Sequence, residues 1–380
     1  MAPRGRVKNL DALTSLRFFA ALFVVVTHLA AVSGNLGVVE LISQTGWLGV
    51  SFFFILSGFV LMWSFDQGIG PAAYVLRRLT RIYPLHFVCL VLSLLFFLQT
   101  GKALGGYVGT APGTIANFLL IHSWIPGHPD IRQAWNGVSW TLSCEFFFYI
   151  MAPFCFPAFA GIGRGKYFLS VAALWLGLSG FVLLADSRNW HAALDFYIYN
   201  PLPRSYEFVL GAIGAQWVKA GFRFRSTISA LAAMMLPVLL YCIAVPEPSR
   251  SGALMNLMFI PGAFLLIVAT AGNEIDRGKS FLYRRGFVQL GEASFALYMT
   301  HAMLLGLFLI FIVLPLRHQF YTSLPLEVSL SVMFILVCVG VSILVHRFFE
   351  FPVRRKLLKI LAGNTKFQAA GGAEMVEEKV

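Results

Sequence analysis

The sequence predicts an all-α polytopic membrane protein with about ten transmembrane helices and a short re-entrant or interfacial segment. Hydrophobic residues make up 58% of the 380-residue chain and charged residues only 12%, and the mean hydropathy is +0.76. The apolar residues also fall into runs long enough to cross a bilayer, which takes roughly 20 residues per helix.

Ten apolar runs give the predicted helices. Their approximate ranges are 12–32, 46–64, 83–100, 139–159, 167–185, 203–218, 227–245, 253–271, 287–315 and 326–346. The first run has no small-residue cleavage site after it and carries two ionisable residues within it. We therefore expect it to remain as a spanning helix and not to be removed as a signal peptide.

The stretch 101–138, on the predicted outer side, contains no run long enough to span. Its apolar piece, residues 114–126, is bounded by Gly and Pro, so we expect it to be re-entrant or interfacial. Residues 1–360 are predicted to form one integral membrane domain. The acidic, Gly-containing end, 361–380, is predicted to be a disordered cytoplasmic tail.

The basic excess of the chain is explained by membrane topology. The formal net charge is +12, and most of the 29 Lys and Arg residues fall in the tails and loops on the side that holds both termini. Positively charged loops face the cytoplasm, so we expect an inner (plasma) membrane protein with both termini cytoplasmic. No basic patch remains unexplained, which argues against nucleic-acid binding.

The cysteines indicate neither a disulfide framework nor a metal site. Their spacing is not that of metal ligands, and all lie in apolar segments, so we expect free thiols. The five are Cys89, Cys144, Cys155, Cys242 and Cys338.

Arg17 and His28 are ionisable residues inside the first apolar run, where such side chains are costly and mark candidate functional sites. Eleven residues bring a helix back to within roughly 20° of its start and roughly 16 Å along its axis. The two side chains therefore share one face. Ala21 and Val24 between them are small enough to leave a groove for a slender ligand. The structural alternative is a headgroup-level arginine and a histidine bonded to a neighbouring helix.

Arg78 and Arg81 lie three residues apart just before Tyr83 and Pro84, at the predicted inner mouth of the third helix. Guanidinium groups at this spacing suit the phosphates of a nucleotide-like ligand. The alternative is a basic anchor that follows from topology alone.

Two further predicted helices carry buried carboxylates. Glu145 lies about a turn and a half inside the fourth helix and needs a cationic or imidazole partner, for which His28 and the arginines are available. In the sixth helix, Arg204 and Glu207 are three residues apart and could pair with each other, which favours a structural role.

The last two predicted helices also carry polar residues. Ser294, Tyr298 and His301 fall on one stripe of the ninth helix, which we expect to face protein or a cavity; a ligand-binding and a structural histidine are equally compatible with it. At the end of the chain, Arg347 and Glu350 are at helical spacing. Pro352 is predicted to stop the last helix.

Seven motifs in order resemble the acyltransferase-3 family of membrane acyltransferases, over about residues 9 to 356. They are Arg17-x10-His28, LGVSFFFILSGFVL, RRLTRIYP, SWTLSCEFFFY, RSYEFVLGA, SFALYMTH and FFEFP. The resemblance implies a ten-helix enzyme that moves an acyl group, usually acetyl, from cytoplasmic acyl-CoA to a hydroxyl of a cell-surface glycan or related acceptor, with no metal.

The family's functional residues can be carried over by position. His28 matches the essential histidine, Arg17 its partner arginine, and Arg78 with Arg81 the pair that serves the CoA donor. Glu145 matches the acidic residue of an SLSxE-like motif, although Cys144 stands where an aliphatic residue is usual. This resemblance implies acetyl-CoA as donor.

From these residues we expect His28 to act as general base on the acceptor hydroxyl, with Glu145 fixing its tautomer. Tyr83 is expected beside the donor arginines. Residues expected near the acceptor are Tyr298, His301, Ser143, Glu207 and Arg204.

Two alternatives stay open. One is a covalent route through an acyl group on His28 or Ser143. The other is a transporter or flippase for glycans or lipid-linked sugars, against which the absence of an internal repeat argues.

Overall fold

The chain forms an all-α protein, as predicted. The computed structural model describes residues 10–33, 45–161, 164–245, 250–276 and 280–363. Within these ranges the elements are helical and no β-strand forms, since the pairing of Tyr107 with Ala134 is an isolated bridge. Most of the predicted tail, 364–380, lies outside the described residues.

Sixteen α-helices are described. In chain order they are α1 (Asp11–Ala30), α2 (Gly49–Trp63), α3 (Pro71–Thr100), α4 (Ala111–Phe118), α5 (Pro129–Arg132), α6 (Trp140–Gly161), α7 (Arg164–Ser187), α8 (His191–Tyr199), α9 (Pro201–Lys219), α10 (Thr227–Ala244), α11 (Gly252–Ile275), α12 (Arg285–Glu292), α13 (Ser294–Phe308), α14 (Arg317–Thr322), α15 (Leu324–Val345) and α16 (Phe351–Gly363).

The long helices correspond to the ten predicted runs. They are α1, α2, α3, α6, α7, α9, α10, α11, α13 and α15. Nine segments of the described chain are long and apolar enough to cross a membrane. The tenth long helix, α9, is more polar because it includes the buried residues Arg204 and Glu207. The polytopic membrane class is confirmed.

The third predicted helix starts earlier than its apolar run. The expected start near residue 83 is wrong, since α3 begins at Pro71 and continues through Pro84 to Gly101, whose φ of +69° ends it. The first three turns of α3 are not apolar all round, but they bury Ala73 and Tyr74 against the bundle. Arg78 and Arg81 therefore project from a formed helix and not from the loop before it.

The ninth predicted run, 287–315, is two helices. The short α12 ends at Glu292, Ala293 makes the bend, and α13 continues into a π turn at Leu309–Val313. Helix α12 packs closely on α1, because a Cβ at Gly291 would lie 2.0 Å from the carbonyl oxygen of Thr14. The bend lets α12 follow the surface of α1 while α13 enters the bundle.

Pro352 does not stop the last helix, contrary to the prediction. A π turn, His346–Glu350, connects α15 directly to α16, and Pro352 is the second residue of α16. A proline lacks the amide hydrogen of a regular helix and its ring crowds the carbonyl four residues before it. The wider π turn just before Pro352 relieves this conflict, and the helix continues to Gly363.

The segment 101–138 contains only short helical pieces, as expected for a segment that does not span. These are α4, a 3₁₀ turn at His122–Trp124, and α5. Backbone hydrogen bonds join its two ends, from Tyr107 N–H to the Gln133 carbonyl at 3.0 Å and from Trp135 N–H to the Tyr107 carbonyl at 2.9 Å. The segment thus closes on itself over the ends of α3 and α6.

Helices α2 and α9 touch backbone to backbone through two glycines. A Cβ added at Gly211 would lie 1.8 Å from the carbonyl oxygen of Ile55, and one added at Gly58 would lie 1.8 Å from that of Phe208. Small residues allow such approaches between membrane helices. This contact fixes the position of α2, which forms one wall of the cavity described below.

We predict that Gly211→Val lowers the thermal unfolding midpoint in detergent, because the added atoms overlap backbone that cannot move aside. Overpacking typically costs about 1–3 kcal/mol, and more where backbone must shift. Gly180→Val on α7 is the matched control, since nothing lies within 4 Å of a Cβ there. Equal midpoints for the two variants would contradict the close contact between α2 and α9.

Candidate active site

A partly open cavity lies among α1, α2, α3, α6 and α13. Its volume is about 70 Å³. A water needs roughly 10–15 Å³ by this measure, so the cavity has room for a few waters or a narrow chain and is too small for a nucleotide. The polar residues of its lining are Arg17, Ser57, Arg78, Arg81, Thr141, Glu145, Tyr149, Ser294 and Tyr298.

The lining gathers the predicted cationic residues around one carboxylate. Arg17 of α1 and Arg81 of α3 lie close enough to Glu145 of α6 for their charges to act on it. Arg78 lies over the ring of Tyr74 at 5.5 Å. The lining holds three guanidinium groups and one carboxylate, and a second carboxylate outside the lining, Glu350, also acts on Arg17. Positive charge still exceeds negative charge, which suits an anion.

Glu145 is held by Tyr149, one turn further along α6. The Tyr149 hydroxyl donates a hydrogen bond of 2.8 Å to Oε2 of Glu145. The spacing of four residues places Tyr149 on the helix face of Glu145, but Tyr149 was not among the predicted site residues. Ser57 was also missed, because a lone serine in an apolar run carries no distinguishing pattern.

The expected pairing of Glu145 with His28 is wrong. Glu145 contacts Tyr149 and lies at the level of Arg17, and His28 is three turns further along α1, a rise of roughly 16 Å. The carboxylate of Glu145 therefore cannot contact both Arg17 and His28. Sequence spacing gave the distance along α1, but it could not show at which level α6 brings its carboxylate.

His28 lies in the last turn of α1, half-buried, beyond the end of the cavity. Its Nδ1 is 2.9 Å from the Val24 carbonyl oxygen and 3.4 Å from Nε2 of His301. His301 is fully buried on α13, and its ring centroid is 5.9 Å from that of Tyr298, which lines the cavity. A series of three polar rings, Tyr298, His301 and His28, therefore continues from the end of the cavity.

Tyr298 is fixed at this junction by two hydrogen bonds. Its hydroxyl donates to the Val138 carbonyl oxygen at 3.0 Å and accepts from Thr141 at 3.1 Å. The stripe of Ser294, Tyr298 and His301 on α13 faces the protein interior, since all three residues are buried.

Other predicted site residues do not line the cavity. The Tyr83 hydroxyl donates to the Phe118 carbonyl oxygen at 3.2 Å, and so turns toward the segment 101–138 and away from the donor arginines. Ser143 is buried, and its hydroxyl accepts the Ser123 amide at 3.4 Å.

Arg204 and Glu207 pair with each other, as their spacing predicted. The Nη1–Oε1 distance is 3.0 Å, and both side chains are fully buried. Nη2 of Arg204 donates to Ser51 at 2.9 Å, and Asn256 donates to both Ser51 and Glu207. These bonds form a buried polar network among α2, α9 and α11, outside the cavity lining, in which Nε of Arg204 and Oε2 of Glu207 have no hydrogen-bond partner among the described residues. Neither residue lines the cavity, and their role near the acceptor stays a prediction.

A second pair of stacked histidines supports the segment 101–138. The rings of His86 and His122 are 6.3 Å apart and nearly parallel, and His86 Nε2 donates to the Asn117 carbonyl oxygen at 3.0 Å. Burial, together with the neighbouring His86, lowers the pKa of His122 to about 3. His122 is therefore neutral at physiological pH and acts as a hydrogen-bonding group.

No group of three or more His, Cys, Asp or Glu side chains that could hold a metal ion is found in the described ranges. All five cysteines are free.

The fold and the cavity define a class of protein: a polytopic membrane protein with a narrow, positively charged site between its helices. The chain belongs to the acyltransferase-3 family, since the family model, described as an acyltransferase domain, matches residues 10–347. The resemblance seen in the sequence motifs is confirmed.

Two relatives agree with this assignment. The chain is 32% identical over 317 residues to the acyltransferase MdmB of Streptomyces mycarofaciens, covering 79% of this chain and 80% of MdmB. It is 23% identical over 393 residues to the O-acetyltransferase OatA of Staphylococcus aureus, covering 93% of this chain and 59% of OatA. No solved structure matches the chain. The protein is a membrane-bound acyltransferase.

We predict that Arg204→Met or Glu207→Leu alone strongly destabilises the protein, because each leaves a buried charge without its partner, at a cost of about 3–5 kcal/mol. The double variant removes both charges, so it is expected to recover most of the unfolding midpoint and also acyl transfer. A double variant that folds normally but has lost transfer would show that the pair acts in the reaction.

Proposed function

We propose that the protein is an O-acyltransferase that moves an acyl group, acetyl in the simplest case, from cytoplasmic acyl-CoA to a hydroxyl of a glycan or glycolipid on the other side of the membrane. The observation that carries this proposal is the cavity, which has three arginines in its lining and, at its other end, Tyr298, whose ring neighbours the histidine pair. The name of OatA, an O-acetyltransferase, supports an acetyl group and a hydroxyl acceptor.

The size of the cavity favours a donor that has a bulky anionic end and a thin arm. Acyl-CoA has this shape, with its phosphates on the nucleotide and its thioester at the end of a narrow pantetheine chain. In our proposal Arg78, Arg81 and Arg17 hold phosphates at the mouth by charge-assisted hydrogen bonds. The narrow chain enters the space of about 70 Å³ between the helices.

The donor side is assigned to the cytoplasm by the distribution of charge. The charge of Glu350 acts on Arg17, so the end of the last helix pair is near the start of α1. The helix that follows, α16, carries Arg354, Arg355, Lys356 and Lys359. Positively charged segments beside membrane helices favour the cytoplasmic face.

His28 is our candidate for the general base. Of the described residues, none forms a hydrogen bond with its Nε2, which leaves that nitrogen available for an acceptor hydroxyl. As the acceptor oxygen attacks the thioester carbonyl, a new C–O bond forms and the C–S bond breaks. The hydroxyl proton passes to Nε2 of His28 and then to the departing thiolate, so no cofactor is consumed.

Direct transfer needs no serine nucleophile. Ser143, the candidate for a covalent route, is buried with its hydroxyl on the Ser123 amide and does not line the cavity. A covalent acyl group on His28 is the remaining alternative, and an acyl-enzyme trapped in the absence of acceptor would indicate it.

We predict that Arg78→Ala and Arg81→Ala each weaken acyl-CoA binding by about 1.5–3 kcal/mol, the value of a hydrogen bond to a charged group. Donor affinity is measured by titration of acetyl-CoA against protein in nanodiscs. Arg77→Ala is the matched control, because Arg77 lies on the same helix at the same depth but does not line the cavity. Equal acetyl-CoA affinities for all three variants would show that Arg78 and Arg81 serve only as membrane anchors.

We predict that His28→Ala lowers kcat by about 10²–10⁴-fold, the usual contribution of a general base, while acetyl-CoA affinity is unchanged. His318→Ala, at an exposed histidine of α14, is the control. Near-normal turnover of His28→Ala would refute the base assignment.

In cells, the same loss should appear as surface glycan without O-acetyl groups but with normal export. Lost export with retained acetylation would favour a transporter or flippase instead.

A further inference from the structure

The histidine pair, His28 and His301, is the polar contact that the proposed chemistry leaves unexplained. The two rings are 5.1 Å apart between centroids, with Nε2 of His301 3.4 Å from Nδ1 of His28. His301 is fully buried and does not line the cavity, so it is not placed to bind substrate directly. Any effect of His301 on the reaction must therefore be exerted through the residues that it contacts.

The protonation of His301 follows from its backbone contacts. Its Nδ1 is 2.7 Å from the Tyr298 carbonyl oxygen and 3.2 Å from that of Leu297. A carbonyl oxygen can only accept a hydrogen bond, so Nδ1 of His301 carries the hydrogen. In the neutral ring Nε2 then holds a lone pair, and this lone pair faces His28.

The same reasoning fixes the tautomer of His28. Its Nδ1 is 2.9 Å from the Val24 carbonyl oxygen, so Nδ1 carries the hydrogen here too. That hydrogen is shared between Val24 and the Nε2 lone pair of His301. The other nitrogen, Nε2 of His28, is left unprotonated, which is the form that a general base requires.

The pair therefore contains a donor and an acceptor in matching orientation, with the free lone pair at one end. When Nε2 of His28 takes a proton, the ring becomes an imidazolium and its Nδ1–H becomes a stronger donor. A lone pair already facing that Nδ1–H stabilises the charged ring, as the carboxylate does in a Ser-His-Asp triad. His301 itself gains and loses no proton in this scheme.

We propose that His301 is a positioning residue for His28: it accepts the Nδ1–H hydrogen bond of His28, keeps Nε2 of His28 as the basic nitrogen, and stabilises the imidazolium during acyl transfer. This inference rests on the proposed function. The neutral imidazole of His301 then has the role that was predicted for Glu145.

The test compares two replacements of similar length. His301→Gln keeps an oxygen that can accept from Nδ1 of His28, whereas His301→Met fills the space with a thioether, which is only a weak acceptor. Steady-state transfer from acetyl-CoA to surface glycan that has been O-deacetylated with alkali is measured for both, with unfolding midpoints recorded to confirm folding. We expect His301→Met to lose kcat by tenfold or more, within the ~10²–10⁴-fold that a general base contributes, with the KM of both substrates unchanged, and His301→Gln to retain most of the wild-type kcat.

Three results would overturn the inference. Normal kcat in folded His301→Met would show that no acceptor is needed. A raised KM with unchanged kcat would make His301 a substrate-binding residue. Equal losses in folded His301→Met and His301→Gln would show that acceptance of the hydrogen bond is not its role. If His301→Met does not fold, His301→Asn replaces it, because the shorter amide cannot reach Nδ1 of His28; His301→Asn should then lose kcat while His301→Gln retains it.

His28→Ala in the same assay separates this inference from the proposed function. If His28→Ala keeps normal turnover, the base assignment itself fails. If His28→Ala is inactive and folded His301→Met is normal, only the role of His301 fails.

Discussion

The arrangement of this protein depends on enclosing charged side chains within a bundle whose outer surface faces hydrocarbon. Arg17, Arg81 and Glu145 come from three helices and meet at one level, where Glu145 lowers the cost of placing the two arginines away from water and the arginines lower that of Glu145. A lone arginine at this depth would be expelled toward the headgroups. Together they leave a wall of net positive charge inside the bundle, which attracts an anionic donor.

The buried pair Arg204 and Glu207 can be compared with this group. Arg204 and Glu207 are as deeply buried as any residue of the cavity, but they pair with each other, bond to Ser51 and Asn256, and do not line the cavity. Around Glu145 the arginines outnumber the carboxylate and line open space. The residue types are the same, and the difference is that the group around Glu145 lines open space.

Much of the architecture could be predicted because the bilayer constrains helix length and polarity so strongly. The ten long helices follow from the apolar runs, and the pairing of Arg204 with Glu207 follows from their spacing on one helix. Two errors in the helix boundaries occurred at Pro84 and Pro352, both of which lie inside helices. Proline is tolerated in membrane helices because neighbouring groups and π turns relieve the local conflict. Contacts between helices could not be predicted. The level at which α6 carries Glu145 and the contact of His28 with His301 both depend on how helices pack, which spacing along one helix does not determine.

One donor molecule must extend from Arg78 and Arg81 to the histidine pair. The direct measurement is a structure, in lipid nanodiscs, with a non-hydrolysable acyl-CoA in which a methylene replaces the thioester sulfur. We expect the phosphates to bind Arg78 and Arg81. The acyl carbonyl should lie beyond Tyr298, within reach of an acceptor oxygen that is hydrogen-bonded to Nε2 of His28. An analogue whose acyl end stays on the arginine side of Tyr298, or that binds away from the cavity, would contradict this expectation.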